Sequence, residues 1–359
     1  EIAKALRGHL SLLILDEPTS ALNDAEVENL MNTLRDLKSR GVTCIYISHK
    51  LNELFDITDR VTVIRDGKCI GTEETASLTE DKIIAMMVGR APTGRFPAMT
   101  RKPGQMMLRV KNWSVRNPEN REKYAVHNAS FDVRKGEILG IAGLMGSGRT
   151  ELVQSIFGEY GVEVSGQVEI DGQECTIRSS RDAIALGMGL VTEDRKNTGL
   201  ITMHSVTSNI TLPSLPRLSN GPVVNQSLEM ASTAESVESL NIRVPSIEST
   251  VDTLSGGNQQ KVSIAKWLMT NPRILMMDEP TRGIDVGTKY QIYEIMDRLA
   301  AEGIAIVMVS SELPEILGMS DRILVMHEGR IAGILDRGQA DAEKIMSLAA
   351  MGAREEAVS

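Results

Sequence analysis

The chain carries the same strand-rich segment twice, and this repeat restricts its fold more than any other feature. Leu12–Leu22 (LLILDEPTSAL) matches Ile274–Ile284 (ILMMDEPTRGI), and Cys44–Leu54 (CIYISHKLNEL) matches Ile306–Ile316 (IVMVSSELPEI). Thr58–Gly71 likewise matches Ser320–Gly333. Asp16 to Asp59 and Asp278 to Asp321 both span 43 positions, so the copies align without a gap and every mismatch is a real substitution. Each copy reads as strand, helix, strand, helix, strand. The strands are short unbroken apolar runs, the pattern of a parallel sheet covered on both faces, which gives an α/β fold. In the first copy a helix is predicted from Asn23, with Glu26 three residues on as a capping-box partner. Val27, Leu30, Leu34 and Leu37 mark its core face, and Gly41 ends it.

Both copies close their first strand on an acidic pair, Asp16-Glu17 and Asp278-Glu279. Carboxylates at the end of a buried strand can hold magnesium and orient a water. Asp16 and Asp278 are the metal candidates, and Glu17 and Glu279 the candidate bases. Upstream of the second pair, GLMGSGRT (Gly143–Thr150) follows the apolar run Ile138–Ala142 and opens a helix, the context a phosphate-binding loop needs. Gly143, Gly146 and Gly148 permit close backbone approach, the N–H groups from Gly146 through Ser147 to Thr150 can wrap a phosphate, and the Thr150 hydroxyl can reach the metal. Arg149 stands where that pattern has lysine, and a planar guanidinium is not a drop-in substitute. A third element, LSGGNQQ, places Ser255, Gly256, Gly257 and Gln259 at a glycine-opened helix N-terminus, which offers free N–H groups and a positive partial charge. A glycine loop alone is as readily a tight turn. The three elements in this order point to a nucleotide, ATP with Mg²⁺.

Bulk properties narrow the partners. At 359 residues the chain has room for about two domains, and 42% apolar content supports a sizeable core. A net charge of −9 and 3% aromatic residues argue against nucleic-acid binding. Cys44, Cys69 and Cys175 show no paired spacing and read as small core residues of a reducing compartment. No apolar run reaches the length of a membrane span, so a membrane role must come through a partner. The expected layout is a first-copy piece at 1–90, a linker at 91–106 rich in Pro, Gly and basic residues, a complete second domain at 107–350, and a tail at 351–359. The first copy has no counterpart of the Gly143–Thr150 loop. An upstream segment with a lysine-bearing loop and a second LSGG-type motif is expected before Glu1.

GLMGSGRTEL, EDRK, LSGGNQQK, EPTRGIDVG and SSELPE, together with the two-copy plan, resemble the fused ATPase subunits of monosaccharide ABC importers. The resemblance implies a P-loop NTPase of ABC type: a mainly parallel core sheet with an antiparallel β subdomain and a helical subdomain. It implies that domains close head to tail, so that the Ser255–Gly257 segment caps ATP held by the first copy's loop, beside Asp16, Glu17 and the switch residue His49. Ser311 fills the switch position of the second copy and is expected to be too short to do the same work. Glu193, in the TEDRK run, stands where many relatives carry a glutamine that senses the γ-phosphate. Arg149 and Ser311 together imply a second site that binds ATP and hydrolyses it slowly. The implied partners are a dimeric membrane permease and, through it, a periplasmic sugar-binding protein, with the chain peripheral on the cytoplasmic face of the inner membrane. The implied sugar is xylose first; ribose, galactose and arabinose stay open, because this chain does not contact the sugar. A ribosome-associated ABC ATPase and a non-catalytic nucleotide sensor are the alternative readings.

Overall fold

A computed structural model describes residues 11–19, 22, 24–48, 50–65, 67–88, 96–97 and 101–351. The chain divides into two units, Glu1–Gly94 with Asp285–Gly287, and Arg95–Ile284 with Thr288–Ser359.

The first unit follows the predicted order. Strand β1 (Leu12–Asp16) pairs in parallel with β2 (Thr43–Ile47), joined through helix α1 (Asp24–Ser39); helix α2 (Leu51–Ile57) leads to the hairpin β3 (Arg60–Arg65) and β4 (Lys68–Glu74), and helix α3 (Glu80–Val88) follows. Leu30, Met31 and Leu34 of α1 are buried against Leu13 and Leu15, as a 3.6-residue apolar stripe requires. Gly41 takes φ +83 just past the helix. Asn23, the expected cap, lies outside the described residues.

One expectation for this unit fails. Its strands are not covered on both faces: Leu12, Ile14, Ile45 and Ile47 are 47–60% exposed, while Ile274, Met276, Val307 and Val309 at the matching positions are buried. The two units also differ in their pairing. In the second unit a strand sits between the counterparts of β2 and β3, whereas in the first those strands flank a cavity of about 760 Å³ lined by Thr43–Ser48 and Arg60–Ile64.

The second unit opens with the antiparallel layer β5 (Met106–Arg116), β6 (Tyr124–Arg134), β8 (Val162–Ile170) and β9 (Gln173–Cys175), in the order β6-β5-β8-β9. Its central sheet takes β7 (Ile138–Gly143), β10 (Met188–Val191), β11 (Ile274–Asp278), β12 (Ala305–Val309), β13 (Arg322–His327) and β14 (Arg330–Asp336), in the order β10-β11-β12-β7-β13-β14. All pairs are parallel except the closing hairpin β13–β14. Strand β7 is thus central, held by β12 on one side and β13 on the other. The helical part, α6 (Val206–Thr211) and α7 (Gln226–Ser239), leads through a loop to α8 (Gly256–Leu268). No described helix is long and apolar enough to cross a membrane. The end of the expected linker is fastened to this unit: the Arg101 side chain is 1% exposed and ion-paired with Asp297 and Asp321.

Residues 1–90 produced alone are expected to show no cooperative thermal transition by circular dichroism, since β2 and β3 keep unpaired edges and an exposed apolar face. A sharp sigmoidal melt of that segment would contradict this account of the gap.

Candidate functional site

The turn after β7 is shaped by steric exclusion. Gly143 sits at φ +156, and a Cβ there would stand 2.5 Å from Ser147 Oγ and 2.7 Å from the Met326 carbonyl. Gly148, at φ +94, would bring a Cβ to 2.7 Å from the Ala125 carbonyl. Both conformations belong to glycine. Gly146, at φ +76, faces open space. Gly148 caps helix α4 (Arg149–Ile156), so the first-turn N–H groups of Arg149, Thr150 and Glu151 have no helical acceptor. Ser147 is buried, its carbonyl accepts from Gly329 N–H at 2.9 Å, and its hydroxyl has no partner among the described residues.

Asp278 ends β11 in full burial, and neither of its carboxylate oxygens has a hydrogen-bond partner of ordinary geometry among the described residues. Burial is the main cause that pushes its pKa up to about 6; the Thr150 hydroxyl facing it and the Arg149 charge work the other way, and Glu279 adds to the rise. An orphaned carboxylate facing a threonine at a helix start suits a hard divalent cation. Among the described residues no three His, Cys, Asp or Glu side chains form a metal cage.

Glu279 follows at φ +48, with its N–H on the Val309 carbonyl at 2.9 Å. Ser311 Oγ donates to one of its oxygens at 3.0 Å, and Arg149 Nη2 stands 3.9 Å from the other. The Arg149 Nη1 donates to the Ser310 carbonyl at 2.9 Å. Ser311 therefore reaches Glu279 of the acidic pair. The turn at Glu279 brings the carboxylate to the loop.

The glycine-opened helix is α8. Ser255 caps it, exposed, and accepts from Asn258 N–H. Gly256 and Gly257 leave no room for side chains, which would meet Arg195 Nη2 at 2.8 Å and Thr288 at 2.4 Å. Gln259 is not on this open end. It is 4% exposed, and its amide donates to the Val251 and Leu254 carbonyls at 3.1 and 3.2 Å, which braces the loop from within.

The TEDRK run is no solvated turn. Asp194 caps a π-helical turn, Arg195–Gly199, by accepting from the N–H groups of Lys196 and Asn197. Glu193 is ion-paired with Arg282. Arg195 donates to the Arg282 and Gly283 carbonyls at 2.8 and 3.3 Å. Sequence reasoning missed Arg195, because nothing in a charged pentapeptide signals a tertiary clamp. Trp113 is core, 5% exposed with its indole N–H on Ser155 Oγ at 3.0 Å. Tyr124 is 41% exposed, next to Ala125 of the loop's clasp, with the Arg116 guanidinium 3.9 Å over its ring. In the first unit Asp16 and Glu17 are exposed at the end of β1, Glu17 at φ +43; His49 lies outside the described residues.

A glycine-clasped turn opening a helix beside a buried aspartate at a parallel strand end defines a P-loop nucleotide-binding domain. Residues 126–282 match the family model described as ABC transporter. The chain is 56% identical over 352 residues to the xylose import ATP-binding protein of Moorella thermoacetica, covering 98% of this chain and 70% of that protein. It is 50% identical over 351 residues to the L-arabinose transport ATP-binding protein of Geobacillus stearothermophilus, covering 97% of this chain and 68% of that one. A solved nucleotide-free ATP-binding cassette from an ABC transporter superposes with a TM-score of 0.56 at 25% identity, over 68% of this chain and 96% of that one. The chain belongs to the ATP-binding proteins of ABC sugar importers.

Asp278→Asn is expected to keep metal-free binding of a fluorescent ATP analogue and to lose roughly 10–100-fold of the affinity gained on adding Mg²⁺. An unchanged Mg²⁺ dependence would remove Asp278 from the metal site. Gly148→Val, which must displace the Ala125 carbonyl, is expected to abolish binding altogether.

Proposed function

We propose that the second unit binds Mg–ATP at Gly143–Thr150 and that the chain powers uptake of a monosaccharide, xylose first, through a membrane permease. The observation that carries this reading is the match along nearly the whole chain to a xylose import ATP-binding protein, together with a phosphate cradle in which Gly143 and Gly148 admit no side chain. Thr150 and Asp278 would hold the magnesium, which supplies charge neutralisation to the phosphates. A dimeric permease fed by a periplasmic sugar-binding protein, with this chain on the cytoplasmic face of the inner membrane, completes the assembly. In the first unit Asp16, Glu17 and His49 are proposed to serve the nucleotide chemistry of that copy, with Glu193 on the permease side of the second.

Hydrolysis at Gly143–Thr150 is proposed to be slow. The Arg149 fork is engaged by the Ser310 carbonyl and stands close to Glu279, and Ser311 holds the other Glu279 oxygen. A water must compete for an acceptor already in use. Ser311 also brings no positive charge to the γ-phosphate. Losing one aligned transition-state donor costs roughly 10²–10³ in rate.

Single-turnover hydrolysis of bound ATP by this chain is expected to be at least ~100-fold below an enzyme turning over at ~10 s⁻¹. A rate in that ordinary range would refute the slow-site reading and leave the nucleotide assignment intact. This chain by itself is expected not to sustain normal ATP turnover; in membranes holding the full-length parent with the cognate permease and binding protein, ATP-dependent uptake is expected to favour labelled xylose over arabinose. The reverse preference would move the sugar assignment alone.

A further inference from the structure

At matching positions the two units each bury a glutamate that the nucleotide chemistry does not use. In the second unit it is Glu315, 1% exposed on helix α10 (Leu313–Met319). It accepts from Thr281 Oγ1 at 2.8 Å and from Ser310 Oγ. Thr281 lies two residues after Glu279, and Ser310 directly precedes Ser311. The one carboxylate therefore joins the turn that presents Glu279 to the loop that presents Ser311, and those two side chains meet at 3.0 Å. The Glu279 backbone, at φ +48, is in a region that side-chain-bearing residues keep only with outside support.

The first unit repeats the arrangement. Glu53 is 8% exposed and accepts from Tyr46 Oη at 2.7 Å and Ser48 Oγ at 2.9 Å, and Thr19 also faces it. Thr19, Ser48 and Glu53 are the counterparts of Thr281, Ser310 and Glu315. The tyrosine is instructive. Tyr46 comes from strand β2, and its counterpart in the second unit is Met308. There the phenol facing the carboxylate is Tyr293, from helix α9 (Val286–Ala301), whose counterpart in the first unit is Met31. Tyrosine and methionine have changed places between two elements while a hydroxyl still faces the same carboxyl. Packing alone gives no reason for that exchange; hydrogen bonding to the carboxyl does.

We propose that Glu315 is a positioning residue, which through Thr281 and Ser310 holds Glu279 and Ser311 in register at the second nucleotide site. It rests on the ATP-site reading only for what Glu279 and Ser311 face. The surrounding charges separate the two copies. Around Glu53, burial works to raise the pKa, but hydrogen bonds from Tyr46, Thr19, Ser48 and Lys50 outweigh it and hold the carboxyl low. Around Glu315, burial dominates, Glu312 in the place of Lys50 adds to it, and Ser310, Thr281 and Lys289 oppose; the pKa is pushed up to about 7. A carboxyl whose pKa is raised only in the closed arrangement favours closure when neutral. Closure therefore strengthens as pH falls through about 7 and weakens as pH rises.

The test is amide hydrogen exchange on the whole nucleotide-free chain at residues 279–282 and 309–312, corrected for intrinsic pH dependence. Protection in both segments is expected to be roughly tenfold greater at pH 6 than at pH 8. Glu315→Gln, similar in shape and unable to titrate, is expected to retain protection and lose the pH response. Glu315→Ala is expected to lower protection roughly tenfold in both segments and to leave Ile138–Gly143 unchanged. A pH response that survives in Glu315→Gln, or full protection in Glu315→Ala, overturns the proposal; if the alanine variant does not fold, the glutamine comparison decides. A fluorescent-ATP titration on the same samples keeps the two readings apart. Failure to bind nucleotide counts against the ATP site, and flat exchange in a chain that binds nucleotide counts against Glu315.

Discussion

The placement of β7 at the centre of the sheet is the constraint on which the rest depends. Paired with β12 on one side and β13 on the other, the strand delivers Gly143 to the sheet's carboxyl end, one strand away from Asp278. The glycine turn then starts a helix whose free N–H groups face the same region. Remove the central strand and both consequences go. The first unit has the same acidic strand, the same glutamate at positive φ and the same buried carboxyl network. Among the described residues no strand pairs between β2 and β3; those strands line a cavity, and one apolar face of β1 and β2 is exposed. The Asp16 carboxylate is exposed where Asp278 is buried.

Burial of Asp278 is what turns geometry into chemistry. A carboxylate taken from water without a hydrogen-bond partner is costly, and its raised pKa records that cost. A divalent cation beside the Thr150 hydroxyl relieves it. Glu279, one residue on, is in a different position. One of its oxygens accepts from Ser311 and the other is approached by Arg149, which is the ground for the slow hydrolysis proposed at this site.

Much of this was legible in the sequence, for particular reasons. The ungapped repeat fixed the order of strands, since two copies with equal spacing leave little freedom in topology. Gly143 and Gly148 were readable because backbone sterics act locally, and the helix face of Leu30 and Leu34 because periodicity does. The rest depends on tertiary contacts that no local pattern encodes. TEDRK has the composition of a solvated turn, and only the fold brings Arg195 to the Arg282 and Gly283 carbonyls. Gln259 belongs to a motif with an open end, yet its position one turn into α8 points it at Val251 and Leu254. That Ser311 meets Glu279 depends on the left-handed turn at Glu279, which sequence alone does not show. The unpaired strand edges of the first copy were legible from its lack of a Gly143–Thr150 counterpart, but the exposed faces of Ile14 and Ile45 were not, because an apolar run predicts a covered strand.

The most direct measurement of the central claim is a crystal structure of this chain with Mg²⁺ and a non-hydrolysable ATP analogue. The account expects the β-phosphate within hydrogen-bond reach of the N–H groups from Gly146 to Thr150, and the metal on the Thr150 hydroxyl with Asp278 beside it. A triphosphate bound elsewhere, with the Gly143–Thr150 turn making no phosphate contact, would contradict it.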